Sequence, residues 1–256
     1  MAEPNAPAVP QGYRLAVLDE IDSTNAEAMR RALAGDHGPL WLMARRQTGG
    51  RGRYGRHWVS EPGNLYTSLM MTAPAAHARL ANLSFVAALA LSDAVAQLLD
   101  EPARSQLRLK WPNDLLIAGA KTSGILLEAQ PLPNSRELAL ALGFGVNIDH
   151  RPSLALPYAA TFLAEHGVTV TPGGLLQLLA ERFDHWHRTW TGPRGFAPVR
   201  EAWLARAQGV GAPIEVKLQG ETIHGIFEDL DDDGALVLLL SNGQRRKILA
   251  GDVFLR

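Results

Sequence analysis

The chain of 256 residues contains no cysteine. That excludes a disulfide framework, zinc–thiolate sites and a cysteine nucleophile, and it suits a reducing cytoplasm. Charge of one sign is also lacking. Lys and Arg number 25 against 26 Asp and Glu, a net of −1, so no global field draws the molecule to nucleic acid or membrane, and any anion site must be local. A membrane-length apolar run is missing too. The longest, Leu83 to Leu99, is interrupted by Ser84, Ser92, Asp93 and Gln97 and reads as a buried helix of a soluble protein. Met1 to Gly12 has neither a basic start nor an apolar centre, so it is not a signal peptide; rich in Pro and Ala, it reads as a flexible tail of residues 1–12. There is no internal repeat.

What the chain does hold is one dense stretch, Gln47-Thr48-Gly49-Gly50-Arg51-Gly52-Arg53-Tyr54-Gly55-Arg56-His57-Trp58, between the apolar runs Leu40 to Met43 and Leu65 to Met71. Glycine lets backbone approach a ligand closely, and arginine supplies fixed-geometry donors for phosphate or carboxylate. Gly50, Gly52 and Gly55 spell G-x-G-x-x-G, but a dinucleotide fingerprint opens a helix and here a strand-like run follows. A P-loop needs Lys and Ser or Thr after Gly55, where Arg56-His57 stands. A kinase loop needs the H-R-D and D-F-G tripeptides, which are absent. An RGG-like segment binding nucleic acid through charge alone is the competing reading, although such segments are usually low in complexity and terminal.

Around this loop the periodicities predict a strand at Arg14 to Leu18, a helix entered through a capping box at Thr24 and Glu27, and a strand from Leu65 to Met71. A strand from Leu107 must end at Pro112. Leu115 to Ile117 and Ile125 to Ala129 form a hairpin across Ala118-Gly119-Ala120, with Lys121 at its start. Glu137 to Ile148 alternates strictly: Leu138, Leu140, Leu142, Phe144, Val146 and Ile148 on one face, Ala139, Ala141, Gly143, Gly145 and Asn147 on the other. The small face leaves room for a ligand or another backbone, and this strand is a candidate open edge for a second copy or an acceptor strand. Thr161 to His166, Leu175 to Trp190 and Phe196 to Gln208 read as structural helices. Past Gly209 the pattern becomes short alternating runs divided by Gln219-Gly220, Asp233-Gly234 and Asn242-Gly243, a small β-barrel of about five strands. The boundaries are residues 13–208 and 209–256. Asp229-x-Asp231-x-Asp233-Gly234 copies half an EF-hand loop but has Leu240 at the twelfth position and reads as a hairpin turn. His185 and His187, two apart on a helix, point to different faces.

Four islands carry the chemistry: the loop at 47–58, Lys110-Trp111-Pro112-Asn113-Asp114, Lys121-Thr122-Ser123-Gly124-Ile125-Leu126, and Gly143-Phe144-Gly145-Val146-Asn147. Lysines at strand ends beside arginines and glycines describe a site for two anions at once. Two unit charges about 4 Å apart repel by roughly 4 kcal/mol at an effective dielectric near 20, so joining a carboxylate to a phosphate demands cations nearby. Arg51, Arg53, Lys110 and Lys121 are the candidates.

Together with Asp22-Ser23-Thr24-Asn25, these islands, as G-R-G-R-Y-G-R-H-W, K-W-P-N-D, K-T-S-G-I-L-L-E and G-F-G-V-N-I in that order, resemble the biotin–protein ligases. The resemblance is strong over residues 14–150 and extends to the C-terminal segment. It implies an α+β fold, with a mixed, largely antiparallel sheet in a class II synthetase-like catalytic domain and a C-terminal SH3-like barrel. It implies that biotin and ATP with Mg2+ form biotinyl-5′-adenylate, which a lysine of a biotin carboxyl carrier domain then attacks. By motif position, Ser23, Thr24, Asn25 and Gln47 hold the biotin rings, walled by Gly124, Leu126 and Gly143. Arg51, Gly52 and Arg53 serve the carboxylate and adenylate phosphate, and Gly50 and Arg56 of the same loop are counted among the cofactor-binding residues. Lys121 stabilises charge developing between them; Lys110, Asn113 and Asn147 face the nucleotide; and Asp114 orients or deprotonates the incoming lysine. Trp58 joins the adenine pocket or the core, and Trp111 the core. The loop is expected to be mobile when empty. Twelve residues before the first strand cannot hold the DNA-binding domain of repressor members, so no DNA partner and no repressor role are expected. No protein ligand for a metal is assigned. A lipoate-type ligase is the neighbouring alternative, and the sequence leaves monomer and homodimer both open.

Overall fold

The computed structural model describes residues 7–75, 79–153, 156, 158–218, 220–249 and 251–255. Among these residues, twelve strands and four α-helices follow in the order β1 (Arg14–Ile21), α1 (Thr24–Leu33), β2 (Leu40–Gln47), β3 (Leu65–Pro74), α2 (Leu83–Ala96), β4 (Leu107–Lys110), β5 (Asp114–Ile117), β6 (Ala120–Pro131) and β7 (Glu137–Val146). Then come α3 (Pro172–Thr191), α4 (Ala197–Leu204), β8 (Pro213–Leu218), β9 (Glu221–Leu230), β10 (Leu236–Leu239), β11 (Arg245–Ile248) and β12 (Asp252–Leu255). The first sheet runs β1-β2-β3-β7-β6-β5-β4 and is antiparallel except for β1 on β2. The predicted α+β class with a mixed, largely antiparallel sheet is what the molecule adopts.

The alternation in β7 explains how this sheet is covered. Leu140, Leu142, Phe144 and Val146 enter the main core with α2, α3 and α4, while Ala139 and Ala141 on the opposite face meet Ala28 and Ala32 of α1. Helix α2 is apolar on all sides because it is enclosed, its buried residues running from Leu83 to Val95. The small residues of β7 thus admit a helix over one half of the strand and leave the Gly143–Gly145 half for the site.

Several expectations change. The helix cap is Ser23, whose Oγ accepts from the Ala26 N–H at 3.4 Å; Glu27 pairs with Arg30 and Arg31 instead of closing a capping box with Thr24. Strand β7 is no edge: β3 pairs with it from Leu65 to Pro74 and β6 from Ser123 to Pro131, and the outer strands are β1 and β4. Residues 163–166 form only a 3-10 turn, and the helix after Phe196 ends at Leu204. Residues 1–6 of the expected tail lie outside the described residues, but Val9 packs on the main core and Tyr13 N–H donates to Pro10. The half EF-hand is a turn between β9 and β10, with Asp231 accepting from the Asp233 and Ala235 N–H groups and pairing with Lys247.

The second sheet is antiparallel, in the order β11-β10-β9-β8-β12, and no closed barrel forms among the described residues. It is nonetheless rolled. Only three residues separate Ile248 of one edge strand from Asp252 of the other; they reach at most about 15 Å, whereas a flat sheet of five strands holds its edges about 19 Å apart. The linker ties this sheet to the first: Leu109 of β4 pairs in parallel with Ala207, with Leu109 N–H donating to Arg206 O and Gln208 N–H to Leu109 O.

Candidate active site

Beyond the N-terminus of α1, strands β6 and β7, the arginine loop, the β4–β5 turn and β12 enclose a cavity of about 330 Å³. Every predicted site residue except Gly50 and Asn147 lines it. Gly50 acts one step away, since a Cβ there would lie 2.5 Å from Trp58 O and 2.6 Å from Ser60 Oγ. Asn147 is a correction: it is buried, its amide donates to Thr161 O at 3.0 Å, and its own N–H goes to Thr122 O, so it fastens the strand end to residues 161–163 and does not face the cavity.

On the α1 side the wall is neutral and tightly bonded. Ser68 Oγ lies 2.6 Å from Asn25 Oδ1 and 2.7 Å from Thr24 Oγ1; Gln47 Oε1 accepts from Thr24 N–H at 2.8 Å, and Gln47 Nε2 donates to Ser60 Oγ at 3.0 Å. Asn25 Nδ2 reaches Leu126 O and Glu128 Oε2, which fixes the orientation of the amide. The Ser68 proton therefore goes to Asn25 Oδ1, and the Thr24 proton stays within the network. The Ser23 hydroxyl proton and the second hydrogen of Gln47 Nε2 remain for a ligand acceptor, and Thr24 Oγ1 keeps acceptor capacity. A Cβ at Gly143 would sit 2.4 Å from Asn25 Oδ1. Gly124 and Gly145, opposite each other across β6 and β7, form a flat bed for the Trp58 indole, whose Cε2 would be 2.5 Å from a Cβ on Gly145.

On the other side the wall is charged. Lys121 Nζ lies 2.6 Å from Asp114 Oδ1, and the rings of Trp58 and Tyr158 stand 5.5 and 5.3 Å from the same ammonium. Arg51 is 3.7 Å from Glu128; Arg56 and Arg53 are 2.9 and 3.8 Å from Asp252 of the second sheet, and Arg53 also donates to Gly251 O at 3.0 Å. The loop turns back through Tyr54 at φ 57° and Gly55 at φ 69°, with Gly52 N–H on Arg56 O and Trp58 N–H on Gly50 O. This presents Arg53 and Arg56 to the Tyr54 ring at 4.9 and 5.5 Å. Lys110 differs from the others. Burial pushes its ammonium below the usual lysine range, against the opposing pull of Asp114 and Asp252. Asn113 donates to Ile125 O and holds β6. Trp111 is buried, as expected of a core aromatic, with Nε1 on Gly234 O.

Sequence reasoning missed Ser60, Ser68, Tyr158, Asp252 and Phe254, and it gave Glu128 no role although the motif K-T-S-G-I-L-L-E ends on it. The charges expected to converge do converge. Five cations surround a space where three of their carboxylate partners, Asp114, Glu128 and Asp252, stand where substrate anions would compete.

Comparison with known proteins agrees with this geometry. Residues 17–147 match the biotin/lipoate A/B protein ligase family and residues 209–256 the biotin protein ligase C-terminal domain. The chain belongs to that ligase family. Among its relatives, the biotin–[acetyl-CoA-carboxylase] ligase of Paracoccus denitrificans is 43% identical over 93% of this chain and 99% of its own length. The Mycobacterium tuberculosis ligase of the same name is 34% identical over 94% and 89%. Among solved structures, the biotin protein ligase of Aquifex aeolicus in complex with biotin and ATP superposes with a TM-score of 0.78 at 27% identity, covering 95% of this chain and 98% of that one.

Proposed function

We propose that the chain is an ATP-dependent biotin–protein ligase, which activates biotin as the acyl-adenylate and transfers it to a lysine of a biotin carboxyl carrier domain. The observation that carries the reading is the division of one cavity into a neutral wall and a cationic wall. The neutral wall suits a cyclic urea: the Ser23 hydroxyl and Gln47 amide donate to its carbonyl, and Thr24 Oγ1 accepts from a ring N–H. Lipoate offers a dithiolane with nothing to satisfy these groups, and leaving buried polar atoms unpaired costs about 1–3 kcal/mol each, which favours biotin.

The biotin carboxylate then lies toward Arg51, Arg53 and Lys121. A carboxylate oxygen attacks the α-phosphorus of ATP, the bond to the β-phosphate oxygen breaks, and pyrophosphate leaves with the electron pair. Lys121 moves from Asp114 to the charge growing on the α-phosphate, where a fixed cation in a closed site acts most strongly. Asp114, released from its ammonium, accepts a hydrogen bond from the incoming lysine amine in the second step, since an amine attacks only when neutral. Magnesium enters with the ATP phosphates as part of the nucleotide substrate, and no protein ligand is assigned to it.

No described helix is long and apolar enough to cross a membrane, and a cysteine-free chain suits cytoplasmic work. The test is biotin-dependent ATP–pyrophosphate exchange followed by transfer of radiolabelled biotin to a carrier domain. Exchange that responds to lipoate and not to biotin would overturn the reading.

A further inference from the structure

At the rim of the cavity Phe254 of β12 is about a third exposed (36%). Two ammonium groups approach its ring, Lys110 of the first sheet at 5.6 Å from the centroid and Lys217 of the second sheet at 4.5 Å, so the two nitrogens are no more than about 10 Å apart. A ring face attracts a cation without neutralising it. Lys110 makes no ion pair with any described residue, unlike Lys121 and the loop arginines. Lys217 has Glu215 at 3.4 Å, in a pair whose lysine is half exposed, with His224 at 3.8 Å from the same carboxylate. Such exposed pairs are weak and yield readily to a stronger anion. Asp252, the cross-strand neighbour of Lys217, is already occupied by Arg56 and Arg53.

Resting on the ligase reading, we propose that Lys110 and Lys217, one from each sheet and both beside the Phe254 ring, bind the β- and γ-phosphates of the nucleotide, and that pyrophosphate departs across the second sheet. With charge-assisted hydrogen bonds of about 2.8 Å at either end, a diphosphate can reach both nitrogens anywhere within that limit. The α-phosphate stays with Lys121 and Arg53, and the negative charge that appears on the leaving group forms between cations contributed by two separate sheets.

The test uses the full chain with Lys217→Met, Lys217→Glu and Lys217→Arg. Lys217→Met should raise the KM for ATP and for pyrophosphate in biotin-dependent exchange about tenfold, the strength of one charge-assisted hydrogen bond. Lys217→Glu should raise both further and Lys217→Arg restore them, while the KM for biotin stays fixed. Transfer from preformed biotinyl-adenylate, which carries no β- or γ-phosphate, should not change. Calorimetry with inorganic pyrophosphate reads the same site without turnover, so the test survives if the ligase reading fails. The proposal is overturned if pyrophosphate binds Lys217→Met as tightly as the unaltered protein, or if transfer from preformed adenylate falls as much as exchange does. Absence of biotin-dependent exchange in the unaltered protein would sink the ligase reading separately.

Discussion

On the α1 side of the cavity, Thr24, Asn25, Gln47, Ser60 and Ser68 are joined by hydrogen bonds of 2.6 to 3.1 Å and carry no charge. On the side of the arginine loop and second sheet, Lys121, Arg51, Arg53 and Arg56 rest on Asp114, Glu128 and Asp252. The first wall is bonded into one arrangement that leaves only the Ser23 hydroxyl proton, one Gln47 amide hydrogen and a Thr24 Oγ1 lone pair for a ligand, so a ligand must match it. The second is satisfied by pairs that a substrate anion can replace, because a phosphate or carboxylate offers an arginine the same geometry as Asp or Glu does. On the proposed function, selectivity resides in the neutral wall and chemistry in the charged one.

If that division holds, altering one wall should leave the other's step nearly intact. The largest effect is expected for Lys121→Ala. Exchange should fall by a hundred- to thousandfold, the usual cost of removing a preorganised group at developing charge, while biotin binding by calorimetry shifts little. A comparable loss of biotin affinity would break the comparison. Next is Gly143→Ala, whose Cβ must displace Asn25. Biotin affinity should drop by about 2 kcal/mol, near thirtyfold, with the KM for ATP almost unchanged.

A smaller effect is expected from pH. Lys110 binds anions only when protonated, and its pKa lies below the ordinary lysine value. The KM for ATP should therefore climb at a lower alkaline pH than a normal lysine would give, by up to about tenfold. Lys110→Arg, which does not deprotonate, should flatten that profile; an unchanged profile would remove Lys110 from the nucleotide side. The smallest effect is expected for Glu128→Gln. Gln still accepts from Asn25 but no longer competes for Arg51, so biotin should bind slightly tighter. The change should be no more than about fivefold, since exposed pairs are worth at most about 1 kcal/mol.

Much of this was legible in the chain because the informative features are local. The alternation of Glu137 to Ile148 marked a strand with one large and one small face, and the glycine and arginine spacing marked the loop that lines the cavity. Lys121 and Asp114 were placed at the site, although their contact at 2.6 Å depends on the β5–β6 register. The residues that went unseen reach the site only through pairing at long range. Ser68 is one polar residue in an apolar strand, and Asp252 and Phe254 lie on the last strand, where nothing nearby marks them. The misreadings have the same origin. A strand's place within a sheet depends on its partners, so β7 read as an edge when it is central. Thr24 met the pattern of a cap, but its hydroxyl is committed to Gln47 and Ser68, and the cap fell to Ser23.

The pairing of Ala207 beside Leu109 reaches further than the joint itself. Strand β4 ends at Lys110, one residue after that bridge, so the segment leading into the second sheet also braces the cation at the rim. Lengthening or loosening residues 205–209 should therefore weaken the grip on ATP well before biotin recognition suffers, and a change made to suit one sheet will be felt at the other.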